Sequence, residues 1–114
     1  MANRSDEKAV EMIRGTGNVF ADLGLPDAAE RQTKLRLAYA IGEIVRERRL
    51  TQAAAAELLS INQPKVSALL RYKLAGFSVE RLMTFLTALE RDVEIVIRRK
   101  PRSRPTARIS VVAA

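Results

Sequence analysis

The sequence predicts a mainly helical bundle closed by a C-terminal β-strand or loose hairpin. Three observations predict it. Two stretches carry apolar residues at helical spacing: Leu37, Ala38, Ile41, Ile44 and Val45 in the first, and Val79, Leu82, Met83, Phe85, Leu86 and Leu89 in the second. Between them, Thr51 to Arg71 reads as two short helices joined by a tight turn. After them the period changes, because Val93 to Arg98 is β-branched and partly alternating.

Length and charge bound the answer. A chain of 114 residues has room for one domain and a modest core. Its 47% apolar and 29% charged residues suit a soluble globular chain. No apolar run is long enough to span a membrane. The start, MANRSDEKAVEM, is acidic and polar where a secretion signal would be basic and then apolar. A cytoplasmic protein is therefore expected. With neither Cys nor His, no structural zinc site and no cofactor are expected. The net charge of +7 favours a polyanionic partner, nucleic acid first. That charge is uneven: residues 91 to 114 hold seven basic residues against two acids.

Residues 1–25 read as an arm that packs on the core. Val10, Met12 and Ile13 fit either a strand or a helical turn, and both readings stay open. Gly15 to Asn18 is a turn signal. Val19, Phe20, Leu23 and Leu25 form an apolar plug for one end of the core. Pro26 and Asp27 mark the start of a helix that runs to about Arg49, roughly 30 Å long. Its first turns are expected to project past the core or to pack on a partner subunit. Gly42 weakens it by up to about 1 kcal/mol and is read as permitting a close crossing.

The two short helices are legible from their caps. Thr51 can cap the first, since its hydroxyl can accept from a free backbone N–H two or three residues on. Asn62 offers the second cap, and Pro64 sits in the first turn, where a missing N–H costs nothing. The spacing says more. With Gln52 as the first position, Ala56 is fifth, Ile61 tenth, Val66 fifteenth and Leu69 eighteenth. A helix-turn-helix needs a small residue at the fifth place, where its helices cross closest, and apolar residues at the others.

On these residues the chain resembles the Cro/CI-like, XRE-type family of DNA-binding domains, over roughly positions 30 to 90. The resemblance implies a lambda-repressor-like fold for residues 26–91. The ninth position, usually Gly, is Ser60 here, which predicts a strained or altered turn. The segment GNVFADLGLPDA is similar to one preceding the motif in a branch of the family that is often paired with toxin genes.

After the motif, Tyr72 to Phe77 is a loop with Gly76 at its bend, and Ser78 caps a helix over Val79 to Leu89. Arg81 stands where a capping box would need Glu or Gln. The apolar residues of this helix are spread widely, which predicts burial on more than one side. Residues 92–114 hold the strand and a basic tail. Arg98 to Pro105 is a proline-broken linker, and Arg108 to Val112 could add a second strand. A lone strand cannot satisfy its own backbone. Its partner could be residues 108–112, the N-terminal segment, or the same strand of another copy, which would make this region a dimerisation element.

No catalytic constellation stands out. There is no Gly-rich phosphate loop, no base for a Ser or Thr nucleophile, and the acids are scattered, so no enzyme is expected. The site residues expected for DNA are Asn62, Gln63, Lys65 and Ser67 at the start of the second motif helix, with Arg71 at its far end. Gln can pair with the adenine edge, and Lys can donate to guanine or phosphate. The resemblance implies that Gln52 grips a phosphate and braces Gln63, which reads bases. Pro64 replaces the family's usual Ser and removes one hydroxyl.

What the resemblance implies as a whole is a homodimeric, sequence-specific repressor binding a short operator palindrome in double-stranded DNA. Its more specific form is a HigA-type antitoxin that binds a RelE-like toxin and represses its own operon. Two other readings stay open: a protein-interaction module with little DNA binding, and non-specific nucleic-acid binding through the basic tail.

Overall fold

The computed structural model describes residues 28–113. The arm over 1–25, its apolar plug and the helix start at Pro26 lie outside the described residues. Four α-helices follow in order: α1 Ala28–Glu47, α2 Gln52–Leu59, α3 Gln63–Leu70 and α4 Val79–Ala88. α1 packs chiefly on α4, and α2 chiefly on α3. Smaller contacts join α1 to α3 and α2 to α4.

The periodicity of α1 is answered by the core. Leu37, Ala38, Ile41, Ile44 and Val45 are all buried, with Ile41 fully so. The first turns do not project into solvent: Ala28, Gln32 and Thr33 are buried as well. The Thr33 hydroxyl donates to the Ala29 carbonyl at 2.8 Å, which satisfies its buried polar group. Among the described residues, Gly42 marks no close helix crossing: the nearest atoms to a Cβ built there belong to the Arg46 guanidinium of the same helix, at 3.5 Å.

α4 buries one broad stripe, Leu82, Phe85, Leu86 and Leu89, with Val79 and Met83 half-buried at its edges. Glu80, Arg81, Thr84, Thr87 and Ala88 are exposed, so the expected burial on several sides is not found. The i, i+3, i+4, i+7 spacing of the buried four is that of a single face. Phe77, from the preceding loop, meets Phe85 edge-on, with centroids 5.9 Å apart. The Arg81 guanidinium lies over the outer side of the Phe85 ring, 5.6 Å from its centroid.

Each helix stops by the same device. Arg49, Ser60, Tyr72 and Glu90 all have positive φ, between 52° and 65°, and each follows the end of one helix. Around each, two backbone bonds close the turn. Ser60 N–H donates to Glu57 and Ile61 N–H to Ala56, while Tyr72 N–H donates to Leu69 and Lys73 N–H to Ala68. The same pair recurs at Arg49–Leu50 and at Glu90–Arg91. This is the Schellman arrangement, usually built on glycine. Here no glycine takes part.

The expected C-terminal strand is not formed. No strand occurs among the described residues, and residues 91–101 have no regular structure. No backbone group of residues 92–100 bonds to another backbone group among the described residues. The segment is β-branched, but a ladder needs a second strand alongside. The chain does double back, as a loose hairpin would. Arg104 N–H donates to the Pro101 carbonyl at 3.2 Å, and Val93 and Val111 both rest against the core. The two arms do not exchange ladder bonds.

Candidate nucleic-acid interface

α3 is held by its inner face. Val66 and Leu69 are completely buried, and Ile61, from the turn, is partly buried against the same core. Ala55 and Ala56 on α2 are buried, and α2 packs chiefly on α3. With these anchors the N-terminal turns of α2 and α3 are both left at the surface.

Both turns are capped as the sequence predicts. Thr51 Oγ1 accepts from Ala54 N–H at 3.0 Å, and Asn62 Oδ1 accepts from Lys65 N–H at 2.9 Å. The caps fix where each helix starts and therefore where the following side chains leave it. Neither helix has an acidic residue in its first turn. The partial positive charge of each N-terminus is thus not neutralised locally, which suits an approaching phosphate.

The expected site residues divide into three groups. Gln52 stands first in α2 and is exposed, beside that helix's N-terminus. Asn62, Gln63 and Lys65 are exposed around the start of α3. The Asn62 carbonyl is committed to the cap, so only its amide nitrogen remains to donate outward. Arg71 ends α3 and is exposed, and Ser67 is half-buried.

Helical spacing adds a point that residue type alone does not show. Opposite the Val66–Leu69 face, the outward stripe of α3 runs through Pro64, Ser67 and Arg71, at i, i+3 and i+7. Gln63 and Lys65 flank that stripe on opposite sides. From the sequence, Pro64 has a place in the first turn and a lost hydroxyl, but no contact of its own. Its ring is exposed at the centre of the helix start, where it can make apolar contact. Lys73, exposed just past α3, was not singled out at all. Its signal was available, since it is one of only two cations in the three residues that follow α3.

Chemically, the surface offers amide, ammonium, guanidinium and hydroxyl donors beside two helix N-termini. It offers no cluster of His, Cys, Asp or Glu that could hold a metal among the described residues. No described helix is long and apolar enough to cross a membrane.

Comparisons with known proteins agree with this geometry. The family described as helix-turn-helix domain matches residues 19–98. A solved structure provisionally named an XRE family transcriptional regulator is 74% identical in sequence, with a TM-score of 0.75. The match covers 78% of this chain and the whole of that one. No curated protein matches the chain.

Proposed function

The chain belongs to the helix-turn-helix domain family and, with it, to the XRE family of regulators, and from that premise we propose that it is a sequence-specific DNA-binding transcriptional repressor. One observation carries the reading: α3 is pinned by two fully buried side chains while its capped N-terminal turn, with Gln63 and Lys65, stands in solvent. That is the arrangement by which such a helix enters the major groove. Gln52 and the α2 N-terminus would position the backbone, and Gln63 and Lys65 would read base edges. The protein would act as a homodimer on a palindrome, since a two-fold site needs a two-fold reader.

The finer form of this proposal is an antitoxin that represses its own operon and neutralises a RelE-like toxin. The similarity of GNVFADLGLPDA to toxin-paired members of the family supports it. That segment lies almost wholly outside the described residues.

The test is fluorescence-anisotropy binding to the protein's own promoter fragment and to a scrambled duplex, at about 150 mM salt. Specific binding roughly 10³-fold tighter than to the scramble is expected. Gln63→Ala with Lys65→Ala should erase the gap and leave the fold intact. Equal, weak and strongly salt-dependent binding to both duplexes would refute repression at that fragment and favour the basic tail. For the antitoxin form, a small toxin-like reading frame beside this gene should encode a protein that co-purifies with the chain. A neighbour that neither binds the chain nor arrests growth would count against it.

A further inference from the structure

Residues 92–100 are the most unfinished part of the described surface. Ile95, Val96 and Ile97 are 78%, 63% and 93% exposed. Their backbone groups bond to no other backbone, and neither Glu94 nor Arg98 has an ion-pair partner among the described residues. Exposed β-branched residues with free backbone donors and acceptors are a template for strand pairing. The occupant can be argued from charge.

We propose that residues 92–100 pair with the same residues of a second copy, as an antiparallel ribbon whose two-fold axis passes through Val96. The proposal rests on the dimeric reading above and specifies how that dimer forms.

Symmetry limits the choices. In an antiparallel ribbon, facing residues lie on the same side. Two identical strands can satisfy this about a two-fold axis only if the axis passes through a residue. An axis at Ile95 would face Arg91 with Arg99 and Glu94 with Val96. An axis at Ile97 would face Ile95 with Arg99 and Val96 with Arg98. A parallel, in-register pair would set like charges side by side. An axis at Val96 faces Ile95 with Ile97, Glu94 with Arg98, Val93 with Arg99 and Asp92 with Lys100, each twice. Both acids then meet bases, and every isoleucine meets an isoleucine. Lys100 already donates to the carbonyls of Pro101 and Arg104, which leaves one of its three donors free.

The two sides of this ribbon differ in character. Asp92, Glu94, Val96, Arg98 and Lys100 share one side, and Val93, Ile95 and Ile97 the other, with Arg99 at that side's outer end. Val93 already rests on the core of its own subunit. The apolar side therefore continues from the helical body and would be covered by the two bodies it joins. A bare two-stranded ribbon is marginal in water, and this cover is what makes it stable.

The chain has no cysteine, so single-cysteine variants of the full-length protein report the register cleanly. Val96→Cys places two thiols directly opposite, with Cα atoms about 4.5–5.5 Å apart, within reach of a disulfide. Ile95→Cys or Ile97→Cys alone leaves them about 8 Å apart, beyond that reach. Under mild oxidation Val96→Cys should cross-link at least tenfold faster than either. A mixture of Ile95→Cys and Ile97→Cys chains should cross-link where each alone does not. In sedimentation, Arg98→Glu should raise the dimer dissociation constant about tenfold or more. Adding Glu94→Arg should bring it back to within about threefold of the original. A stable dimer that cross-links equally or better at Ile95→Cys or Ile97→Cys overturns the register and leaves the dimeric reading standing. A monomer at all accessible concentrations overturns both. Operator binding is measured separately, so neither outcome is confused with a failure of DNA recognition.

Discussion

Replacing Ser60 by glycine should stabilise the protein. Ser60 ends α2 at φ 56° and ψ 41°, in the left-handed region. For an L-residue with a Cβ that conformation costs roughly 1–2 kcal/mol relative to the right-handed one. Glycine removes the cost at this position. It also enlarges the unfolded ensemble, which offsets about 0.4–1 kcal/mol. The Ser60 side chain is exposed and makes no hydrogen bond among the described residues, so no such contact is lost. The two backbone bonds around it, to Glu57 and Ala56, are kept. The net gain is about 0.5–1 kcal/mol, or roughly 2–8 °C in Tm for a domain of this size. Urea denaturation and a thermal scan, run beside Ser60→Ala, measure it. Ser60→Ala keeps the strain and should change stability by less than about 0.5 kcal/mol. If Ser60→Gly is no more stable than the parent, or Ser60→Ala gains as much, the argument from backbone strain fails.

Three further outcomes follow from the same reasoning. Gly42→Ala should stabilise by about 0.5–1 kcal/mol, since among the described residues the nearest atoms to its Cβ are those of the Arg46 guanidinium, at ordinary contact distance; a loss in Tm would mean that the backbone there is needed for a close approach. Leu69→Ala, at a fully buried position on the inner face of α3, should cost about 2–5 kcal/mol by denaturant titration, and a loss under about 1 kcal/mol would show that the α3 anchor is loosely packed. Asn62→Ala should cost about 1 kcal/mol through the lost cap on Lys65 N–H. Asn62→Asp should keep the cap and the stability yet weaken binding to DNA, because a carboxylate would face the phosphates. Equal DNA affinity for Asn62→Asp and the parent would place residue 62 outside the interface.

What was legible in the sequence was mostly what is local. Thr51, Asn62 and Ser78 cap their helices through bonds that span three residues, so chain neighbours alone reveal them. The α1 face from Leu37 to Val45 and the motif core at Ala56, Val66 and Leu69 follow from period and spacing. The strand expected at 93–98 is not formed, because composition states a preference while a ladder requires a neighbour. The left-handed ends at Arg49, Tyr72 and Glu90 left no sign either, since glycine is the signal usually sought there. Ser60 was noticed only through its place in the motif. For the candidate interface, residue type singled out Gln63 and Lys65. It took the buried positions of Val66 and Leu69 to show that Pro64, Ser67 and Arg71 form the outward stripe between them.

The four helix ends also bear on how a ligand would be met. A side chain with a Cβ has only a narrow well at positive φ, so joints built on Arg49, Ser60, Tyr72 and Glu90 have little play where glycine joints would swing. α3 is therefore presented in its final orientation before any encounter. Association should proceed as the docking of a finished surface, with a rate set by charge steering and ionic strength and no slow rearrangement phase. Its heat-capacity change should match the area buried at contact, with nothing added for helix formation.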